Sequence, residues 1–206
     1  MAFSLNAQKY GVFDGCHATP MDLNVPDFGG LDLPPIQRKL YRKICYFLGL
    51  MINVEGKRFV DEGENFRNYT YAQFGKKVIE QPKSQAWQIF DNKVIDLLYD
   101  EYHFEKATFV EAATLESLME KTHGLDKKMA LQTISDFNNA CTSNKPFDPT
   151  SLDGKKTTGL ALPKSNWAQT ISEPPFRAYP VTGGITFTYG GLKISKNGAV
   201  LDKDKN

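Results

Sequence analysis

The sequence predicts an α+β fold, with helices clustered between two β-rich ends. Three observations point there. Short apolar runs with aromatic or branched residues stand toward both ends of the chain and twice in the middle. Three segments in the central half carry an apolar stripe at helical spacing behind a capping residue. The connections hold Gly, Pro, Asn and Asp, the residues of turns.

Residues 11–36 are rich in Gly, Pro and Asp and predict a loop. Behind Pro34 and Pro35, the 4, 4, 3 spacing of Ile36, Leu40, Ile44 and Phe47 predicts a helix with its prolines at the start. L-M-I-N-V and R-F-V around E-G-K predict a β-hairpin. A helix follows over 69–81, closed by Pro82, and then a strand at A-W-Q-I-F, 86–90. Asp91 or Asn92 caps a helix running to Tyr99, and A-T-F-V at 107–110 predicts a strand. Thr114 caps a helix bearing Leu115, Leu118 and Met119 and ended by Gly124. Asp126 caps the next, with Ala130, Ile134, Phe137 and Cys141 on one stripe. Residues 142–166 predict a long polar loop, and a strand over 179–194 is interrupted by Gly183–Gly184 and Gly190–Gly191. The Lys/Asp tail after Leu201 predicts a frayed end. No internal repeat is visible.

Composition excludes several classes of function. Hydrophobic residues make up 41% and charged residues 24%, which is globular and not disordered. The formal charge of +1 gives no basic field for nucleic acid or for a membrane surface, so neither is expected as a partner. Apolar runs such as 45–54 fall short of the ~20 residues of a membrane helix. The start M-A-F-S-L-N-A-Q-K-Y-G lacks a basic segment before an apolar one. Cys16, Cys45 and Cys141 are odd in number and form no C-x-x-C, which predicts reduced thiols, no metal centre and a cytoplasmic protein.

Nucleophile chemistry has little support. His17, His103 and His123 are scattered, and Cys16–His17 are adjacent without need of facing each other. H-E-x-x-H, G-x-x-x-x-G-K-[ST] and G-x-G-x-x-G are absent. Polar, aromatic and Gly residues concentrate instead in three blocks: D-G-C-H-A-T at 14–19, E-G-K-R-F-V-D-E-G-E-N-F-R-N-Y-T-Y-A at 55–72 and P-V-T-G-G-I-T-F-T-Y-G-G-L at 180–192. In the second, Arg58 and Arg67 alternate with Asp61, Glu62 and Glu64. That pattern reads either as a solvated, self-neutralising turn or as an anion site with Arg forks held by acids. In the third, the Gly pairs serve turns and bulges, or allow close approach of a ligand or of another backbone beside Thr182, Thr186 and Thr188.

These blocks, with Q-A-W-Q-I-F-D at 85–91, P-F-D-P at 146–149 and L-P-K-S-N-W-A at 162–168, resemble in order the succinate dehydrogenase/fumarate reductase flavoprotein family, most of all its tricarballylate dehydrogenase-like branch. The resemblance runs from about residue 11 to 203. It implies the capping domain of such a flavoprotein with incomplete flavin-domain β segments at both ends: 1–54 as entry, 55–170 as the substrate-capping part, 171–206 as the returning β segment. It implies FAD as cofactor and oxidation or reduction of a C–C bond in a polycarboxylate or related compound. By alignment, Arg67 acts in proton transfer, His17 contacts a substrate carboxylate, and Thr186 and Phe187 lie at the substrate. Phe187 stands where many relatives have a second histidine. Gly190 and Gly191 lie at the cofactor. His17 also reads simply as a loop hydrogen-bonder. An arginine is protonated at any working pH, so proton donation by Arg67 needs a relay and a dry, preorganised site.

The family's strand, G-x-G-x-x-G and helix that grip FAD do not occur in the 206 residues. The resemblance therefore implies a truncated or split form that binds FAD poorly alone and works with a flavin-binding partner chain. The alternative is a non-catalytic remnant or a carboxylate-binding regulatory module.

Overall fold

The computed structural model describes residues 1–26, 34 and 39–204. One antiparallel sheet organises them. It is built from β1 (Lys9–Asp22), β2 (Leu50–Asn53), β3 (Ala86–Phe90), β4 (Val110–Ala112) and β5 (Phe176–Leu192). The order is β1-β5-β3-β2, with β4 also on β5. β5 is the axis: its Phe176–Ala178 end pairs with β4, Arg177–Val181 with β3, and the remainder with β1.

Both faces of the central strands are buried, and the side chains alternate between two cores. Ala86 and Phe90 of β3, Met51 of β2 and Tyr179 and Val181 of β5 face one side, with Tyr46, Phe74, Val78, Tyr102 and Trp167. Trp87 and Ile89, Leu50 and Ile52, Phe176 and Ala178 face the other, with Leu118, Met119, Ala130, Ile134 and Phe137. That period of two is the strand geometry itself. Helix α1 (Arg67–Ile79) covers the first side through Thr70, Phe74 and Val78. Helices α3 (Leu115–Lys121) and α4 (Lys127–Ala140) cover the second, and the single turn α2 (Asn92–Ile95) follows β3.

The caps read from sequence are formed. Thr114 accepts the Ser117 N–H and Asp126 accepts the Met129 N–H. Asp91 accepts the Lys93 N–H, but its helix stops after one turn and does not reach Tyr99. The expected loop at 11–36 is corrected over 11–22 by β1, while 27–33 and 35–36 lie outside the described residues. Its Gly11, Asp14, Gly15 and Pro20 look like turn residues, yet the strand is held by β5 at the far end of the chain and bent by register shifts between Gly11 and Cys16 and between His17 and Ala18. The strand expected at 107–110 lies at 110–112. The expected hairpin has only a single bridge, Ile52 to Arg58, on its second arm. The helix expected from Ile36 falls partly outside the described residues; Lys39–Tyr41 and Tyr46–Leu48 are 3-10 turns. The tail is not frayed up to residue 204: the Lys203 N–H bonds Asn6 O, and the Leu201 O accepts from the Gln8 N–H. Among the described residues, no helix is long and apolar enough to cross a membrane.

Candidate functional site

The 55–67 block is a clamp that delivers Arg67. Asn53 Oδ1 accepts the N–H groups of Glu55 and Lys57 and so fixes the turn into the block. Arg58 then turns inward. Its Nε and Nη2 bind the two oxygens of Glu62 at 3.1 and 2.5 Å, and Nη1 donates to Leu162 O at 2.8 Å. Glu62 is fully buried and also accepts the Met51 N–H at 2.8 Å. Burial works to lower the Arg58 pKa, but Glu62 more than offsets it and holds the guanidinium above its ordinary value. Asp61 accepts from the Ser165 hydroxyl and N–H, and the Asn166 amide donates to Gly63 O. The charges neutralise each other, but in the interior. The solvated-turn reading is thereby corrected, and Arg58 has no fork left for an anion. Lys164 sits in the same knot and donates to Gly49 O at 2.7 Å; burial pulls its pKa down to about 8.

Arg67 is different. It is the first residue of α1, behind Phe66, which supplies no side-chain cap. Its Nε donates to the Tyr99 hydroxyl at 2.8 Å, and the guanidinium lies 4.7 Å from the Tyr99 ring centre. Among the described residues neither Nη makes a hydrogen bond or ion pair. The half-buried guanidinium lines a cavity of about 350 Å³ with Phe47, Phe66, Asn68, Tyr69, Tyr99, Pro149, Thr150 and Trp167. The first turn of α1, the positive end of the helix dipole, forms one wall. The opposite wall is a turn held by Asp148, whose carboxylate accepts from the Thr150 and Ser151 hydroxyls and the Thr150 N–H. These bonds hold its pKa below the ordinary value. Trp167 pins the same turn, its indole N–H donating to Asp148 O at 2.8 Å and Ser151 O at 2.9 Å.

His17, Thr186 and Phe187 come together in a second place, where β1 and β5 pair His17 with Phe187. The Phe187 ring stacks on the imidazole at 4.5 Å, and Tyr71 meets it edge-on at 5.0 Å. The Thr186 hydroxyl donates to His17 O at 3.0 Å and also bonds Nδ1. A hydroxyl has one proton, so it accepts from Nδ1–H, which leaves Nε2 as the ring's open nitrogen. Tyr71 stands four residues after Arg67 on α1, one turn along the same face. His17 does not line the Arg67 cavity; α1 is the element that connects the two. Thr182 and Thr188 are turned elsewhere, to Ser84 O and Gly190 O. Tyr71, Tyr99, Phe47 and Trp167 were not singled out from sequence. Only Tyr71 carried a signal, its i, i+4 spacing from Arg67.

Gly183 and Gly75 show what part of the third block does. A Cβ on Gly183 would lie 2.3 Å from Gly75 O and from Ile79, so the glycine admits α1 and not a ligand. A Cβ on Gly190 would lie 2.8 Å from the Phe13 ring and Val12 O, whereas Gly191 has open space around it. Neither stands at a helix N-terminus. Among the described residues there is no Gly-rich strand-to-helix turn of the kind that cradles a pyrophosphate. No group of three His, Cys, Asp or Glu side chains among them is placed to hold a metal ion.

No family model matches the chain. It is 30% identical over 158 residues to the NADH:fumarate oxidoreductase of Klebsiella pneumoniae (strain 342), an alignment that covers 76% of this chain and 15% of the relative. The chain is related to fumarate reductase-like flavoproteins. It is also 27% identical over 179 residues to the vinyl phenol reductase of Lactiplantibacillus plantarum (strain ATCC BAA-793 / NCIMB 8826 / WCFS1), covering 74% of this chain and 33% of that protein. The open conformation of a flavocytochrome c3 fumarate reductase superposes on the whole chain with a TM-score of 0.65 at 23% identity, using 31% of its own length. The antiparallel mixed fold is thus that of a portion of such a flavoprotein. The chain spans well under half the length of these relatives.

Proposed function

We propose that this chain is the substrate-holding capping domain of an FAD-dependent oxidoreductase that adds or removes hydrogen across a carbon–carbon bond beside a carboxylate. Its substrate is a polycarboxylate or a related acid, as in the tricarballylate dehydrogenase-like branch that the 56–72 block resembles. One observation carries this reading: the Arg67 guanidinium is clamped through Nε by Tyr99 and offers both Nη groups to a cavity. A fork in that state matches a carboxylate edge with two parallel bonds. The turn at Asp148 and the rings of Phe47 and Phe66 line the same cavity.

FAD, when bound, supplies the hydride acceptor or donor at the substrate carbon. Its grip comes from a flavin-binding portion beyond the described residues, on the same or another polypeptide. The β1–β5 ribbon suits that contact. Tyr10, Val12 and Phe13 on one strand and Ile185, Phe187 and Tyr189 on the other are 47–66% exposed, an apolar surface that in water calls for a partner. His17, with Nε2 open, lies on this ribbon, where a second polar group of the substrate can reach it. The phenol of Tyr99 on Arg67 Nε is the nearest relay for any proton that Arg67 gives up.

The test is turnover of the chain combined with a flavin-binding portion, read as carboxylate-dependent change in flavin absorbance. Arg67→Lys keeps the charge and loses the fork, so the rate is expected to fall at least a hundredfold, about 2.7 kcal/mol at 1.36 kcal/mol per decade. Turnover equal to that of the unchanged chain would remove Arg67 from the reaction.

A further inference from the structure

We infer that Cys45 and Tyr102, both inside the core, are positioning residues of the Arg67 site: they fix Tyr99, and Tyr99 fixes the guanidinium. This rests on the reading that Arg67 binds a carboxylate. It adds which interior groups set the aim of the fork.

The first observation is how Arg67 is held. Among the described residues, Tyr99 is the one side chain bonded to the guanidinium, through its hydroxyl on Nε at 2.8 Å, and its ring lies 4.7 Å away. A displaced Tyr99 therefore displaces both Nη groups, and a contact with a carboxylate edge tolerates little displacement.

The second is how Tyr99 is held. It leads into the 3-10 turn Asp100–Tyr102, and its backbone is tied at both ends. Its N–H donates to Cys45 Sγ at 3.4 Å, and its O accepts the Tyr102 N–H at 2.8 Å.

The third is that these two partners belong to one buried circuit of hydrogen bonds. The Cys45 N–H donates to the Tyr102 hydroxyl at 2.8 Å, and that hydroxyl donates to Gln88 Oε1 at 2.6 Å. Gln88 Nε2 donates to Lys43 O at 2.7 Å, two residues before Cys45, and Lys43 Nζ returns to the turn at Glu101 O, 2.6 Å away. Lys43, Cys45, Gln88 and Tyr102 are fully buried. Polar groups in a core are costly unless bonded, and a network whose members are bonded specifies one arrangement. Here it brings segments 43–45 and 99–102 into one register and refers both to Gln88 in β3, at the middle of the sheet.

The experiment uses the full chain with propane-1,2,3-tricarboxylate as the probe. Affinity is read by calorimetry, and exchange of the Arg67 Nε–H with water by proton–nitrogen NMR. Tyr99→Phe is expected to weaken binding and to speed exchange at least tenfold. Cys45→Ala and Tyr102→Phe, each shown folded by circular dichroism, are expected to change both at least threefold. Added to Tyr99→Phe, neither is expected to weaken binding by a further twofold, because both act through Tyr99. Ile134→Val, in the core on the other side of the sheet, is the control: it also loses stability, yet affinity and exchange are expected to stay within twofold. If either Cys45→Ala or Tyr102→Phe behaves like Ile134→Val, or if its loss multiplies with that of Tyr99→Phe, the positioning role is overturned while the carboxylate role of Arg67 stands. If the unchanged chain does not bind the tricarboxylate, or if Arg67→Gln binds it as tightly, the carboxylate reading falls and the positioning role with it.

Discussion

Gly75 lies in the interior of α1, where an alanine normally favours the helix by about 1 kcal/mol. Here the opposite is expected. A Cβ at Gly75 would stand 2.4 Å from Ala18 C and Thr19 N and 2.6 Å from Ala18 O. All three are backbone atoms of β1, and Ala18 and Thr19 are fully buried. Carbon contacts settle at about 3.5–4.0 Å, so helix and strand must part by roughly 1 Å. Gly183 of β5 is seated against Gly75 O as well, so closely that a Cβ there would lie 2.3 Å from it, which leaves the helix little room to shift along β5. Overpacking of this kind costs about 1–3 kcal/mol and sometimes more. With the helix gain deducted, Gly75→Ala is expected to lose about 1–2 kcal/mol, or roughly 2–8 °C in Tm for a chain of this length. Urea unfolding followed by far-UV circular dichroism measures it. Gly191→Ala is the control: nothing lies within 4 Å of its Cβ, and a change within about 0.5 kcal/mol is expected. If the two variants unfold alike, the reasoning that glycine here sets the seat of α1, and with it the place of Arg67, is wrong.

Two further perturbations probe the buried charges. Glu62→Gln leaves the Arg58 guanidinium interior with no anion, its side chain only 6% exposed, and is expected to cost about 3 kcal/mol in chemical denaturation. The buried lysines set an unusual pH dependence. Burial lowers Lys43 and Lys164 from 10.5 to about 8, with Asp22 at 3.7 Å partly offsetting this for Lys43. The folded chain then gives up both protons near pH 8 while the unfolded chain keeps them to about 10.5. Stability is expected to rise with pH between these values, by an order of 1 kcal/mol per lysine from pH 8 to 9. Above pH 9 Cys45 acts in the other direction, since burial holds its thiol up to about 12. Thermal melts at pH 7, 8 and 9 check this; a Tm that falls over that range would refute it, and Lys164→Met is expected to flatten the rise.

Helices α1, α3 and α4 were legible because their information is local. Thr114 and Asp126 announce themselves three residues before the N–H they accept, and the stripe Ala130, Ile134, Phe137 is the buried face of α4. A-W-Q-I-F was legible as a strand, although its Gln88 is as buried as its neighbours, accepting from the Tyr102 hydroxyl and donating to Lys43 O. β1 was not legible. Its Gly, Asp and Pro residues are turn formers by local preference, and the bonds that override them come from β5, at the other end of the sequence. The cavity was equally hidden. Phe47, Tyr99 and Trp167 arrive from three separate segments, and no periodicity joins them. The neighbourhood of His17, Thr186 and Phe187 entered only through the family resemblance, since nothing in the spacing of the two blocks places them side by side.

Arg58 and Arg67 stand in one block, flanked by the same acids, and from spacing alone either could be the anion receptor. What separates them is how much of each fork is spent. Arg58 uses all three of its nitrogens, on Glu62 and on the carbonyls of Val60, Leu162 and Pro163. Arg67 spends one, on Tyr99. The first arrangement is expensive in desolvation and returns rigidity: it ties β2, the 61–64 turn and the 162–166 segment into one body through Glu62, Asp61 and Asn166. The second needs that rigidity. A half-buried cation with two free donors holds its aim only if the segment entering α1 cannot yield, because an error of about 1 Å in such a contact is costly to binding and to rate. The acids of the block therefore act on the candidate site without touching a ligand. They hold Arg58, Arg58 holds the turn, and the turn decides where the open fork of Arg67 points.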